Sequence, residues 1–300
     1  MTLRRTPLAI LFIIFSSLFF IARAHAFVEI SDGSVTGLYH MNGSSSDSSG
    51  RGYHGADFGV TYVTGKISKA WDRGANGGDR YTKVDTSVLD VARDFTASFW
   101  INLQDVSPSA STYIMFKRRG GIPDGFDGFG YASVFAPENL EFAKASDATN
   151  SNHGIYWSPV ENVWYWVVIR RSGSNTDLYM NNLLIGTIPE SNTSPIAESW
   201  YFGCLVQQSQ QCEGSAAKRF YLDEVVFTNN AISTSTRFAL WNNGKGAEVC
   251  VAEKCGSMQF SIDHRSMFWI GILVLVGLLA YYATRHSWSL SVSFRKEKQQ

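Results

Sequence analysis

Two pairs of acidic residues come closest to a catalytic arrangement in this sequence: Glu138 with Glu141, and Asp223 with Glu224. Hydrolysis of a glycosidic bond uses two carboxyl groups roughly 5–10 Å apart, one donating a proton and one attacking or activating water. Side chains alternate between the faces of a strand, so partners that are adjacent or three apart are expected on opposite faces. The sequence also contains no G-x-S-x-G, H-E-x-x-H or glycine-rich phosphate-loop motif. We therefore expect a protein that is not an enzyme.

Aromatic and acidic residues in two short segments are the candidates for ligand binding. A glycine-rich loop carries Asp124, Phe126 and Asp127, and a second segment carries Tyr156 and Trp157. Sugar recognition combines the stacking of aromatic rings on pyranose faces with a few directed hydrogen bonds. These residue types therefore predict a glycan-binding surface. The alternative interpretation is that the glycines form turns and the aromatic side chains fill the core.

The scaffold for these side chains is predicted by short apolar runs between Gly, Ser, Asn and Asp clusters, a pattern typical of an all-β sandwich or barrel. The clearest run is 163–171. Two further strands follow it, joined by Asn181-Asn182, a pair that tolerates the positive φ angles of a two-residue hairpin turn. The other predicted strands are 36–41, 69–72, 80–84, 95–102, 112–117, 129–135, 200–204 and 219–227. The one helical pattern is at 234–241.

The predicted strand at 95–102 contains one residue that breaks its pattern. Alternate positions are apolar, as expected for a strand with one face in a core, but Trp100 falls on the other face. We expect Trp100 either in a groove on that second face or covering the sheet under a loop.

Five motifs occur in an order that resembles one known family. They are D-S-S-G at 47–50, K-A-W-D at 69–72, F-T-A-S-F-W-I at 95–101, L-Y-M-N followed by I-G at 178–186, and L-D-E-V at 222–225. Together they resemble the laminin-G-like jelly rolls of the concanavalin A-like lectin/glucanase superfamily over about residues 35–243. The resemblance implies an antiparallel jelly-roll β-sandwich, which we place at residues 27–246. Asn182 and Tyr221 stand where the family usually has glycine.

The same resemblance implies a structural calcium ion, held by oxygens of the D-S-S-G loop and of the strand with L-D-E-V. Transferred residue by residue, it assigns Asp47 and Asp223 as calcium ligands and Asn42 as a third. Calcium favours several hard oxygen ligands, which a Gly/Ser-rich loop can present. The alternative is that Asp47 only caps a turn and that Asp223 is a surface residue of its strand.

Both ends of the chain carry targeting patterns. Residues 1–26 combine two arginines, an apolar stretch and an A-x-A site, so we expect a signal peptide cleaved after Ala26, with an uncleaved anchor as the alternative. Residues 267–284 are almost continuously apolar, which predicts one transmembrane helix rather than a buried core helix. The tail at 285–300 is basic, so the positive-inside rule places it in the cytoplasm and the sandwich outside the membrane.

Four cysteines lie on the exported side of that topology, where disulfides persist. Three pairings are open to four cysteines. Proximity in sequence favours Cys204 with Cys212 and Cys250 with Cys255, and the second pair falls in a juxtamembrane segment at 247–266.

The net charge of the predicted exported part indicates which class of partner this chain does not bind. Residues 27–265 hold 19 basic and 25 acidic side chains, a net charge of −6. An acidic body argues against contact with a phosphate backbone, so we expect no nucleic acid partner.

The expected function is a single-pass membrane protein of the cell membrane whose extracytoplasmic sandwich binds glycan or protein ligands in adhesion. The first alternative is a structural subunit of a cell-envelope or virion assembly, and the second is a glycoside hydrolase. Two sequons, at Asn42 and Asn192, are acceptor sites for glycosylation if the host performs it.

Overall fold

The computed structural model of this chain describes residues 26–74, 80–106, 112–118, 126–133, 136–145, 152–189, 199–206, 212–213 and 218–251. The predicted transmembrane helix, the basic tail, Asp124 and Cys255 lie outside these residues, and so does the predicted signal peptide up to residue 25. Among the described residues, no helix is long and apolar enough to cross a membrane.

Nineteen strands and one α-helix occur in the described ranges. The strands are β1 (Phe27–Ile30), β2 (Val35–Tyr39), β3 (Ala56–Phe58), β4 (Thr61–Thr64), β5 (Lys69–Asp72), β6 (Tyr81–Val84), β7 (Phe95–Leu103), β8 (Thr112–Arg118), β9 (Phe126–Ser133), β10 (Ala136–Ala145), β11 (Asn152–Trp157), β12 (Trp164–Ser172), β13 (Asn175–Met180), β14 (Leu183–Pro189), β15 (Trp200–Phe202), β16 (Leu205–Val206), β17 (Cys212–Glu213), β18 (Phe220–Thr228) and β19 (Glu248–Val251). The helix is α1 (Thr234–Trp241).

Two large sheets stack to form the body of the described protein. The seven-stranded sheet has the order β11-β10-β9-β8-β15-β6-β3. The eight-stranded sheet has the order β14-β13-β12-β7-β18-β5-β4, with β2 also paired to β18. The strands of both sheets pair with their neighbours in antiparallel orientation. The predicted all-β, antiparallel sandwich is therefore confirmed.

The core lies between the inner faces of the two sheets. Phe99, Val167 and Phe227 of the eight-stranded sheet pack in one buried cluster with Met115 and Phe202 of the seven-stranded sheet. Val167 and Phe99 are direct cross-strand partners in the register of β12 and β7. Because side chains alternate along each strand, the residues between these core positions point to the opposite face of the sheet.

A second apolar layer covers that opposite face of the eight-stranded sheet. Helix α1 places Trp241 on Trp100, with the ring centroids 5.5 Å apart and the rings stacked. The ring of Trp166 lies 6.1 Å from the ring of Trp241. Ser233 caps the start of the helix by accepting a hydrogen bond from the backbone N–H of Thr236. The predicted helix at 234–241 is confirmed. Trp100 is covered, as the second expectation had it, but the cover is this helix and not a loop.

Strands β1 and β19 complete this cover as a parallel pair, with Ile30 and Val249 buried in the same second layer. Both run toward the end of the sandwich where β2 begins, since only residues 31–34 separate the end of β1 from the start of β2, and β19 is parallel to β1. Residues 248–251, predicted as part of a juxtamembrane segment, are thus paired with the first strand of the sandwich.

The hairpin turn was predicted correctly from the sequence, whereas one strand boundary and several strands were not. Asn181 and Asn182 join β13 to β14 with φ angles of 50° and 68°, which confirms the two-residue hairpin turn. The glycine-rich segment 120–130 was predicted as a loop, but Phe126 already begins β9, whose backbone pairs with β8 and β10 on its two sides. Eight of the described strands were not predicted. Most of them are two to four residues long, but β10 has ten residues and β11 has six. The missed strands are β1, β3, β4, β10, β11, β16, β17 and β19.

Candidate functional site

The outer face of the seven-stranded sheet carries a row of aromatic rings from strands that are distant in sequence. Phe58 of β3 stacks on Tyr81 of β6 with ring centroids 4.5 Å apart and planes 18° apart. Tyr201 of β15 follows at 6.1 Å from Tyr81. The Nζ atom of Lys83 lies 6.0 Å from the centroid of the Tyr201 ring.

Strand alternation explains why these side chains share one face. Tyr81 and Lys83 are two residues apart, while Thr82 between them is buried and hydrogen-bonded to the indole N–H of Trp71 in the core. Likewise, Tyr201 lies on the outer face between Trp200 and Phe202, which both pack in the core.

The row continues onto β8 and ends at a strand with glycines. Phe116 is the cross-strand partner of Tyr201, and Tyr113 packs edge-on against Phe116 at 5.4 Å. The register of β8 and β9 places Gly128 opposite Phe116 and Gly130 opposite Tyr113. We call these five rings (Phe58, Tyr81, Tyr201, Phe116 and Tyr113) the aromatic row.

Access to this face is greatest at its two edges. Phe58, on edge strand β3, is 42% exposed, and Tyr156, on edge strand β11, is 44% exposed, whereas Tyr201 and Phe116 in the middle are buried. A ring that rests one face on a neighbour and turns part of its surface to water is suited to stacking on an apolar ligand face, including that of a sugar.

The structure separates the predicted ligand-binding residues. Phe126 and Asp127 lie at the start of β9. In the backbone register, Asp127 stands opposite residue 117 of β8 and residue 144 of β10. Tyr156 lies two strands away from them on β11. Asp124 falls outside the described residues.

Tyr156 and Trp157 do not act as a pair. Trp157 packs edge-on against Tyr165 at 4.4 Å and contacts the core cluster, while Tyr156 is exposed. Adjacent residues of a strand face opposite sides, so only one of the two can belong to an outer surface.

Phe58, Tyr81, Lys83 and Tyr201 were missed in the sequence. The alternation of Tyr81 and Lys83 around Thr82 marks a strand with an aromatic outer face, but no pattern relates it to Phe58 or Tyr201. Those contacts arise from pairing between β3, β6 and β15, which are separated by long stretches of chain.

The acidic pair Asp223–Glu224 requires a correction, because the two side chains were expected on opposite faces of a strand. A β-bulge places Glu224 and Val225 opposite the single residue Phe99, and Glu224 takes a φ of 49°. Asp223 accepts hydrogen bonds from the backbone N–H groups of residues 66 and 67, and Glu224 accepts one from the N–H of Val249. Both carboxyl groups therefore lie on the side of the sheet covered by β19. They are also buried, which leaves no access for a substrate.

Glu224 also binds His40. The Nδ1 atom of His40 lies 2.9 and 3.1 Å from the two carboxylate oxygens, and Glu248 of β19 lies 3.9 Å from the same nitrogen. Burial acts to lower the pKa of His40, but the hydrogen bond and charge of Glu224 outweigh it, so the pKa lies above its ordinary value. Burial raises the pKa of Glu224, against the opposing effect of His40.

Asp223 is the second buried acid in this group. It is fully buried, and its Oδ1 atom has no hydrogen-bond partner. Burial raises its pKa to about 7, assisted by the nearby charge of Glu224 and opposed by the backbone donors of Ile67 and Lys66. An ionised carboxylate is costly to bury without donors, so protonation is the physical response.

The three residues assigned to calcium lie in separate hydrogen-bond networks. Asp47 accepts from the backbone N–H groups of Leu38, Ser49 and Tyr53, so its carboxylate organises its own loop. Asn42 accepts from the N–H of residue 69 through its Oδ1 atom. No group of three or more His, Cys, Asp or Glu side chains within the described ranges is arranged to hold a metal ion. The residues as placed do not form a calcium-binding set, and calcium binding stays a prediction.

Disulfide bonding is seen at two of the four cysteines. Cys204 and Cys250 are each disulfide-bonded, and none of the described cysteines is free. Cys204 directly precedes β16, and the register of β16 with β17 pairs Val206 with Cys212. The partner of Cys204 in this bond is not identified, so the Cys204–Cys212 pair stays a prediction. The predicted pair Cys250–Cys255 includes a residue beyond those described.

Solved structures with a similar fold are binding domains of bacterial toxins. The binding domain of Paraclostridial Mosquitocidal Protein 1 aligns with a TM-score of 0.53 and 18% identity, covering 70% of this chain and 52% of that chain. The botulinum neurotoxin serotype C1 binding domain aligns with a TM-score of 0.55 and 16% identity, covering 71% and 52%. The serotype D ligand-binding domain in complex with N-acetylneuraminic acid aligns with a TM-score of 0.55 and 12% identity, covering 70% and 51%. At this identity the likeness concerns the fold, and this chain spans about half the length of each of these structures.

A comparison with curated proteins gives no match. A sequence model of a laminin-G-like family, described as concanavalin A-like lectin/glucanases superfamily, matches residues 76–236, more than half of the chain. That range holds most strands of both sheets, including β6, β8 and β15 of the aromatic row. The chain therefore belongs to the concanavalin A-like lectin/glucanase superfamily.

Proposed function

We propose that this chain is a non-catalytic glycan-binding module, displayed outside the cell membrane on one C-terminal membrane helix. The observation that carries the proposal is the aromatic row on the outer face of the seven-stranded sheet. The two edge strands of this sheet carry exposed rings, Phe58 on β3 and Tyr156 on β11. The outer face of the other sheet is occupied by α1, β1 and β19, so it is not the ligand surface.

The solved structures support a glycan as the ligand class. Among the similar folds are a serotype D domain in complex with N-acetylneuraminic acid and a type C toxin whose cell entry depends on two ganglioside molecules. This chain corresponds to about half of each of those chains, so glycan binding has to be tested on this chain itself.

A glycan array probed with the detergent-solubilised full chain tests the proposal. We expect retention on a limited set of glycans, and competition by the same glycans free in solution. If no glycan on the array retains the protein, the proposal is contradicted. An assay for released reducing sugar on the same sample tests the hydrolase alternative, for which we expect no product.

A structural role in an envelope or virion assembly is the second candidate, and one observation favours it. Leu183, Leu184 and Val160 are 68%, 49% and 61% exposed, and Val163 is 39% exposed. The turn before Leu183 bonds to the backbone of Trp166, near the start of β12, so the two segments lie at one end of the sandwich. Exposed aliphatic side chains at one end of a domain suit contact with protein rather than sugar. Co-purification of protein partners in stoichiometric amounts, together with no binding to the glycan array, would favour this role.

Calcium is proposed only as a structural ion. Asp223 contributes the one unpartnered carboxylate oxygen among the three assigned residues, so binding would require Asp47 or Asn42 to give up hydrogen bonds seen here. The melting temperature of the full chain with excess chelator and with millimolar calcium decides the question. Equal values would exclude a calcium ion that stabilises the fold.

A further inference from the structure

The segment Asn42-Gly43-Ser44 forms an exposed turn directly after β2. All three residues are exposed, and Gly43 has a φ of 111°, which favours glycine. A Cβ atom built at Gly43 would meet no other heavy atom within 4 Å. The turn therefore projects from the surface into open space.

The side-chain amide of Asn42 has a fixed orientation. Its Oδ1 atom accepts a hydrogen bond of 2.9 Å from the backbone N–H of Lys69, at the start of β5. Among the described residues, Nδ2 has no hydrogen-bond partner. Because the oxygen is directed to the protein, the nitrogen is directed away from this contact.

Residue type, exposure and amide orientation together meet the requirements of N-linked glycosylation, which uses an Asn-x-Ser/Thr acceptor on an exported surface. We propose that Nδ2 of Asn42 carries an N-linked oligosaccharide in the mature protein. The inference rests on the export of this domain, which is part of the proposed function.

The transfer requires an activated sugar donor, a polyprenyl-diphosphate-linked oligosaccharide used by an oligosaccharyl transferase of the host. Nδ2 forms a bond to the anomeric C1 atom, and the bond from C1 to the diphosphate oxygen breaks. The electron pair leaves with the diphosphate, and one proton of the amide is released to a base. No oxidation or reduction is involved.

The position of the glycan has a structural consequence. Lys69, which holds Asn42, pairs with Thr64 of β4, the edge strand of the eight-stranded sheet. Exposed edges offer unpaired backbone groups to other chains, and proteins protect them with charge, bulges or cover. An oligosaccharide beside β4 would shield this edge from pairing between molecules.

The test is expression of the full chain in a eukaryotic secretory host, followed by deglycosylation in ¹⁸O water and peptide mass spectrometry. Enzymatic release of an N-glycan converts the acceptor Asn to Asp and marks the site with the heavy isotope. We expect the mark at Asn42, and a gel shift upon deglycosylation that N42Q reduces by one glycan.

Two variants separate modification from folding. Ser44→Ala removes the acceptor motif but keeps Asn42 and its bond to Lys69, so it should lose the glycan without loss of stability. Ser44→Thr keeps the motif and should retain the glycan. Asn192→Gln serves as a control for the second sequon.

The outcomes distinguish this inference from the proposed export. Unmodified Asn42 in protein that carries a glycan at Asn192 would overturn the inference and leave export intact. Absence of any glycan, together with an intact N-terminus and cytosolic protein, would overturn the export on which the inference rests, and the inference with it.

Discussion

Glu224 shows how one residue alters the chemistry of a strand. Its positive φ costs on the order of 1 kcal/mol for a residue with a side chain, and the bulge turns its carboxylate to the same side as Asp223. His40 and the N–H of Val249 hold the carboxylate there. The result is a buried acidic group that secures β19 to the sheet and is sensitive to protonation.

The first prediction concerns the pH dependence of stability. Burial raises the pKa of Asp223 from 3.8 to about 7, so the folded chain holds a proton that the unfolded chain releases between these values. The free energy of unfolding therefore falls as pH rises from about 4 to above 7, by up to ~1.4 kcal/mol per pH unit. The raised pKa values of His40 and Glu224 act in the same direction. We expect a higher melting temperature at pH 5.5 than at pH 8.

The variant D223N tests this assignment, because asparagine keeps an acceptor for the two backbone donors and cannot ionise. Its melting temperature at pH 8 should exceed that of the wild type, and its pH dependence should be smaller. D90N, at an exposed acid on another part of the surface, is the control. An unchanged pH dependence in D223N would show that another group is responsible.

The second prediction concerns ligand binding at Phe58. Removal of its ring in F58A takes away the exposed end of the stack on Tyr81. An aromatic contact contributes about 0.5–1.5 kcal/mol, so the affinity for an array-identified glycan should fall by about threefold to tenfold. F238A, at an exposed ring on α1, should bind normally. Equal affinities of F58A and wild type would place the ligand elsewhere.

At the scale of elements, α1 is a cover rather than part of the sandwich. Only eight residues long, it is too short to be stable alone. Its stability comes from Leu240 and Trp241 packed on the outer face of the eight-stranded sheet, and from Arg237, whose guanidinium lies 4.0 Å from the ring of Tyr179. The helix in turn keeps Trp100 and Trp166 from water.

The third prediction follows from this cover. W241A removes the ring that stacks on Trp100, and should lower the free energy of unfolding by about 2–3 kcal/mol, below the range for a fully buried Trp. Urea denaturation measures the change, and near-ultraviolet circular dichroism should lose the signal of the stacked indoles. F238A on the exposed side of the same helix should change stability little. Equal losses in both variants would indicate that helix propensity, not the stack, is responsible.

The fourth prediction concerns the hairpin of β16 and β17. A peptide map under non-reducing conditions should recover Cys204 linked to Cys212 and Cys250 linked to Cys255. Replacement of Cys204 and Cys212 by serine should cost about 2–3 kcal/mol, the loop-closure value for so short a loop. Recovery of a link between Cys204 and Cys250 would contradict the assignment.

At the scale of the whole sandwich, the outer faces of the two large sheets differ in what lies on them. One is covered by α1, β1 and β19, and the other carries the aromatic row. β19 is directed toward the end of the sandwich where β2 begins, whereas the half-buried turn at Asn181 and Asn182 lies at the opposite end, beside the start of β12.

The fifth prediction tests the membrane anchor. The full chain should sediment with membranes, resist alkaline carbonate and dissolve only in detergent, since residues 267–284 are long and apolar enough for a span. A chain stopped after Cys255 should appear in the medium, and one stopped after Ser287 should remain anchored. Full-length protein in the soluble fraction without detergent would contradict the anchor.

Sequence patterns determined the fold class, the family, the hairpin at Asn181-Asn182 and the helix at 234–241. Each of these depends on local chemistry: alternation along a strand, positive φ at a turn, or a short apolar period. The same local signals placed Phe126 and Asp127 in a loop, because glycine is common both in loops and in strands that approach a neighbour closely.

The tertiary structure alone decided which side chains meet. Phe58, Tyr81 and Tyr201 come together through pairing of three strands that are distant in the chain. Asp223 and Glu224 share a side only because a bulge in β18 fits beside Phe99. Local composition sets what a segment can form, but the pairing of distant strands sets the neighbours of each residue, and binding surfaces and buried charges depend on those neighbours.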